Sequence, residues 1–251
     1  MCGRYASTRS AADLAELFGV EDLTEGDLVP DYNLAPTDPA PIVVAAGGAA
    51  LRVARWGFVP PWDRGGSGHP MINARGETVA TSRVFGEALR QRRCLVPADG
   101  WYEWRLTGRP RSARQPFFMT RPEGVVFAGI WSPAATGRGG ASSRMVTFSI
   151  VTVPSHGELA AVHDRMPLLL EPARWNEWLH AEMFSTHSAT TPSEVTQLLT
   201  PPSSAYCAAI EIRPVSAKVG DVRNDGPELV RRMAVAPPVQ STMDEQPTLF
   251  P

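Results

Sequence analysis

Lysine is almost missing from this chain: Lys218 is the single lysine among 24 basic residues, and the other basic residues are arginine. Lysine-based Schiff-base chemistry therefore has one candidate. Cysteine is scarce as well. Cys2, Cys94 and Cys207 are odd in number, far apart and without the close spacings of a zinc or redox site, which argues against a disulfide framework. No run of 18 apolar residues occurs, so no transmembrane helix is expected. The opening MCGRY lacks the basic-then-apolar pattern of a signal peptide, and the expectation is a soluble, cytoplasmic protein with free thiols.

An excess of charge is also lacking. The 24 basic and 26 acidic side chains leave a formal net charge of −2, which at face value disfavours a nucleic-acid binder working by bulk positive charge. The distribution along the chain says otherwise. Residues 1–35 carry net −5, residues 36–236 net +5, and 237–251 net −2. Eight arginines against three carboxylates within 83–114 form a local basic patch, enough for weak, salt-sensitive binding. The chain is 251 residues long, 43% hydrophobic and 20% charged, a globular composition able to bury a substantial core.

Periodicity predicts a helix over 10–18 with Ser10 as N-cap and Gly19 beyond its end. Strands are expected at 41–45, 51–56, 116–121, 125–131 and 144–153. A later helix starts near Pro172 and stacks Trp175, Trp178 and Leu179, and another opens at the capping box Thr191-Pro192-Ser193-Glu194. Residues 136–143 and 185–193 read as loops. Strand runs without a steady β-α-β rhythm favour an α+β domain over 1–236, followed by a polar, proline-rich tail at 237–251.

Four clusters could carry chemistry. Removal of Met1 would leave Cys2 with a thiol and a free α-amine on one skeleton, a 1,2-aminothiol able to close a thiazolidine on an aldehyde or to act as an N-terminal nucleophile hydrolase. The segment MINARGETVATSR, 71–83, offers Asn73 and Arg75, an amide and a guanidinium fork suited to phosphate oxygens. Its bland alternative is a loop with a solvated Arg75–Glu77 ion pair. In CLVPADGWYEWR, 94–105, a strand, a turn at Asp99-Gly100 and a second strand would set Glu103 among aromatics, where desolvation raises a carboxyl pKa. An exposed Glu103 on an edge strand is the competing reading. VHDRMP, 162–167, presents His163 for proton transfer, while His156 suits a surface role.

Taken in order, MCGRY, YNLAPT at 32–37, WGFVPPW at 56–62, INAR.ET at 72–78, ADGWYEW at 98–104, HDRMP at 163–167 and VS..VG.V.N at 215–224 resemble the SOS-response-associated peptidase (SRAP) family of abasic-site-processing proteins. The match spans about residues 1–230. The resemblance implies a single SRAP-type α+β domain with a mainly antiparallel, barrel-like β core and flanking helices. It further implies an enzyme that recognises abasic sites in single-stranded DNA, including single-strand/double-strand junctions, and links Cys2 to the ring-opened sugar as a thiazolidine, with AP-lyase and autoproteolytic activities in the family's repertoire. By this likeness Cys2 is the nucleophile, Asn73 positions amine and sugar, Glu103 is the acid/base and His163 shuttles protons. Arg4 and Arg75 would hold phosphates, and Pro36 and Trp62 would wedge against bases. Asp63 stands where some relatives have a second Trp. No cofactor or metal is implied, and a nucleoid-associated monomer is expected.

The alternatives are an N-terminal cysteine peptidase or amidohydrolase, and a non-catalytic DNA-binding module tethered to the replication clamp. The tail carries Gln246, Leu249 and Phe250 in QPTLF, which resembles the bacterial sliding-clamp-binding motif.

Overall fold

Long apolar strands leave unpaired edges unless the sheet closes on itself, and here it closes. The computed structural model describes residues 2–45, 47–63, 70–106, 114–136, 143–180 and 197–234. In chain order the elements are β1 (Tyr5–Ser7), α1 (Ala11–Phe18), β2 (Glu21–Asp22), β3 (Asp31–Leu34), β4 (Pro39–Val44), β5 (Ala50–Trp56), β6 (Asn73–Arg75), α2 (Gly76–Val79), α3 (Gly86–Gln91), β7 (Arg93–Leu106), β8 (Arg114–Thr136), β9 (Ser143–Pro154), β10 (Arg165–Pro167), α4 (Trp175–His180) and β11 (Glu211–Pro214). Short 3-10 turns and a helix at Ser204–Ala208 complete them.

β8 pairs with β9, β9 with β5, β5 with β4, β4 with β7, and β7 returns to β8, which closes a five-stranded barrel. All of these contacts are antiparallel except β5–β9, so the barrel is mixed. The α+β, barrel-like expectation is met. Tyr5, Trp56, Trp101, Phe127 and Phe148 fill the interior, with Tyr5 edge-on to Trp56 at 5.0 Å and to Phe127 at 5.7 Å. A second, smaller cluster lies on the other face of β1 and β7, where Ala6, Tyr102 and Phe118 meet Val215, Val219 and Leu229.

The helix at 10–18 forms as its caps predict. Ser10 Oγ accepts the Asp13 amide at 3.1 Å, and Gly19 ends the helix at φ 62°, a left-handed conformation cheap only without a Cβ. Pro172 opens a 3-10 turn that runs into α4, and Trp178 is buried with its indole N–H on the Cys94 carbonyl at 2.9 Å. The capping box at 191–194 and the tail from 237 lie outside the described residues.

One expectation is corrected. The segment 94–105 does not reverse at Asp99-Gly100, and 116–121 and 125–131 are not separate strands. β7 and β8 each run through, paired along nearly their whole length, with a register shift between Ala98 and Gly100. The bends face each other. A Cβ on Gly100 would stand 2.3 Å from the Met119 carbonyl oxygen, and Gly124, at φ 77°, would meet the Ala98 carbonyl oxygen at 2.8 Å. The glycines permit close backbone approach across a bulged hairpin, a use of glycine that a turn signal mimics.

Candidate functional site

The site begins with β1. Antiparallel pairing sets Tyr5 opposite Trp101, and the Tyr102 amide donates to the Arg4 carbonyl at 2.9 Å. Two residues further along each strand that register would set Gly3 opposite Glu103, and Cys2, the next residue, lies near enough to feel the Glu103 charge. Cys2 is fully buried, and burial together with the Glu103 charge pushes its thiol well above the ordinary range. The thiol is therefore held protonated at rest.

β6 approaches from the other side, paired in parallel with β9 so that Asn73 lies opposite Ile150. Its side-chain amide donates to the Cys2 carbonyl at 2.8 Å. Asn73 Oδ1 is buried and has no hydrogen-bond partner among the described residues, an acceptor left open beside Cys2.

Glu103 is 3% exposed, not displayed on an edge strand, since β7 has partners on both sides. Burial raises its carboxyl to about 7, against the opposing pull of the terminal ammonium. His163 Nε2 stands 3.9 Å from Glu103 Oε2. Desolvation lowers the imidazole's pKa, so burial disfavours charge on both partners. In the tautomer that carries its proton on Nε2, facing Glu103, His163 Nδ1 accepts the Arg165 backbone N–H at 3.0 Å. When the ring is protonated, Asp164 Oδ1 at 2.9 Å and the Arg165 carbonyl at 3.2 Å can receive the new Nδ1 proton.

The structure thus joins Cys2, Asn73, Glu103 and His163 from four separated motifs. The residues expected to meet DNA are placed less uniformly. Arg75 is exposed at the end of β6. Trp62 is 57% exposed in a turn closed by the Asp63 amide on the Pro60 carbonyl at 3.0 Å. Pro36 occupies the second position of a turn whose third residue, Thr37, has φ 84°, strained for a β-branched side chain. The Asp38 carboxylate accepts the Ala35 amide at 2.8 Å and the Trp56 carbonyl accepts the Thr37 amide at 2.7 Å, and both hold that turn. Arg4 is buried, with Nη1 donating to Asn33 Oδ1 at 2.8 Å and to the Val219 carbonyl at 2.9 Å. It therefore also ties β1 to the segment after β11. Within the basic patch, Arg93 is buried and donates Nη1 to the Leu89 and Arg90 carbonyls at 2.7 and 2.9 Å, which removes it from the surface charge.

Sequence reasoning missed one pairing. Glu77 feels Arg75 only as a weaker nearby charge and pairs instead with Arg165, with Nη2 to Oε2 at 2.9 Å and a second contact from Nη1 to Oε1. Glu77 and Arg165 both stand in motifs that had been singled out, but nothing in the linear text couples positions 88 apart. Among the described residues no group of three or more His, Cys, Asp or Glu side chains could hold a metal ion, and no helix is long and apolar enough to cross a membrane.

Comparison with known proteins places the chain. The SOS response associated peptidase (SRAP) family profile matches residues 1–222. The chain is 34% identical over 247 residues to the abasic site processing protein YedK of Escherichia coli, covering 92% of this chain and 99% of the relative. It is 30% identical over 233 residues to the abasic site processing protein YoqW of Bacillus subtilis, with 92% and 99% covered. Gallus gallus HMCES, also named an abasic site processing protein, is 28% identical over 276 residues, covering 91% of this chain and 76% of the relative. A crystal structure of a Bacteroides thetaiotaomicron protein shares the fold, with a TM-score of 0.76 at 21% identity over 93% of this chain and 100% of that one. With the motifs, the barrel and the family profile in agreement, this chain belongs to the SOS response-associated peptidase family.

Proposed function

We propose that the protein captures abasic sites in single-stranded DNA by a covalent bond to Cys2, and that removal of Met1 creates the reacting aminothiol. The α-amine adds to the aldehyde of the ring-opened sugar and water leaves, giving an imine. Sγ then adds to the imine carbon, and the thiol proton passes through Glu103 to the imine nitrogen. One water is lost in total, and no oxidant or reductant is consumed.

The observation that carries this reading is the convergence on Cys2 of an amide and a carboxyl group poised near neutrality. A carboxyl of about 7 can donate a proton while water leaves and accept one while sulfur adds. Asn73 Oδ1 supplies an acceptor for the new amine. The raised thiol pKa suits this order of events: the amine reacts first, and the sulfur is deprotonated only when the imine is in place. His163 relays protons beside Glu103 and acts more on adduct reversal and strand cleavage than on bond formation. Arg75 and Arg4 are proposed to hold flanking phosphates, and Pro36 and Trp62 to stack on bases at the lesion or at a junction. The tail residues Gln246, Leu249 and Phe250 are proposed to recruit the sliding clamp; unchanged clamp affinity after Leu249→Ala plus Phe250→Ala would remove that role.

Incubation with an abasic oligonucleotide followed by denaturing electrophoresis tests the chemistry. Wild type is expected to give a heat-stable shifted band that Cys2→Ala lacks. Glu103→Gln is expected to slow its appearance about 100-fold, the usual weight of a positioned acid/base. An adduct formed equally well by Cys2→Ala would overturn the proposal, and a wild-type rate in Glu103→Gln would remove Glu103 from it.

A further inference from the structure

Arg165 occupies a junction between the two polar arms of the site. Its backbone N–H fixes the His163 ring through Nδ1 at 3.0 Å. Its guanidinium reaches back across β9, where Nη2 donates to the Thr152 carbonyl at 2.7 Å and to Thr152 Oγ1 at 3.2 Å. The same fork grips both oxygens of Glu77, in the first turn of the short helix that follows β6. Asn73 lies on β6, four residues before Glu77, so a single bidentate contact joins the arm that holds Cys2 to the arm that carries His163.

The surroundings make this contact firmer than an ordinary surface pair. The Arg165 side chain is 15% exposed and Glu77 46%. The arginine holds Glu77 below its usual carboxylate range, so the contact remains charged throughout the neutral region. β10 has only three residues and pairs on one side with β9. Beside that ladder the segment is held by the Ser155 amide on the Asp164 carbonyl at 2.9 Å and by the buried Met166, and the Glu77 fork is what fixes the Arg165 side chain toward β6. A bidentate arginine–carboxylate fork fixes angle as well as distance, which a proton relay between Nε2 and Glu103 requires.

We propose that Glu77 is a positioning residue of this site, acting through Arg165 to hold the His163 ring against Glu103. The proposal rests on the abasic-site reading above. Glu77 touches neither the sugar nor the sulfur, so its removal should reproduce the loss of His163 and nothing more.

The test uses the full chain and a single-stranded abasic oligonucleotide, with adduct formation and adduct release measured separately for wild type, Glu77→Gln, His163→Ala and the double variant. Glu77→Gln is expected to form the adduct within about threefold of the wild-type rate and to release it about tenfold more slowly, following the pattern of His163→Ala. The double variant should release no more slowly than His163→Ala alone, the non-additivity expected of residues acting as one unit. Thr152→Val removes only the Oγ1 contact and should give a smaller loss in the same direction, which covers the case of a poorly folded Glu77→Gln. Wild-type release by both Glu77→Gln and Thr152→Val, or losses that add to that of His163→Ala, would overturn the proposal. Failure of wild type to form any adduct would instead overturn the reading on which it rests.

Discussion

At the scale of single residues, Glu103 holds a carboxyl group where solvation is poorest, and this has a thermodynamic signature apart from catalysis. Its ordinary value of 4.5 is raised to about 7 by burial. A carboxyl raised on folding binds protons more tightly in the native state. Its contribution is therefore fully favourable below the unfolded pKa and is lost as pH rises through the folded one. The window runs from about 4.5 to about 7, and the full span corresponds to about 3 kcal/mol. Glu103→Gln should thus melt several degrees higher than wild type at pH 8 and show little difference at pH 4, while losing activity. Equal melting temperatures at pH 8 would mean the carboxylate is well solvated. Stability is given up at one buried residue where the proposed reaction would need a proton, a common pattern at active sites. This residue was legible in sequence because the flanking Trp101, Tyr102 and Trp104 announced desolvation. The Glu77–Arg165 contact was not, since both residues look like solvated surface charges until β10 is folded beside β6.

At the scale of elements, the site depends on two strands that bend without reversing. β7 carries Glu103 beyond its bulge, and the bulge is possible because Gly100 and Gly124 admit close carbonyl oxygens. Gly100→Ala would drive a methyl into the Met119 backbone and should cost about 1–3 kcal/mol, the range for overpacking, seen as a lower midpoint in urea. A midpoint equal to wild type would show that the hairpin can open around an added methyl. The strand positions were readable from alternation and β-branched residues, but their continuity was not. Asp99-Gly100 has the composition of a turn, and only the pairing partner across the hairpin decides between reversal and bulge. By contrast, the helix at 10–18 was readable to the residue, because Ser10 and Gly19 act locally, and local signals survive without knowledge of the fold.

At the scale of the whole molecule, the fold brings residues from positions 2, 73, 103 and 163 to one place, through the antiparallel β1–β7 and β10–β9 pairings and the parallel β6–β9 pairing that carries Asn73. Motif identity signalled the constellation; the geometry that unites it came only with closure of the sheet. The near-zero net charge fits the proposed covalent hold, which would need few phosphate contacts, and Arg93 is withdrawn into the core. Non-covalent affinity for an oligonucleotide with an unreactive abasic analogue should fall with salt at a log–log slope of about −1 to −2, and Arg75→Ala should reduce that slope by about 0.7. An unchanged slope would place Arg75 away from the phosphates. The central claim, that the aminothiol of Cys2 closes a ring on the abasic aldehyde, is tested most directly by intact-mass measurement of the purified adduct. The account predicts the mass of the Met1-free chain plus the oligonucleotide less one water, unchanged by borohydride. A mass that retains Met1, or one that gains two hydrogens on reduction, would contradict it.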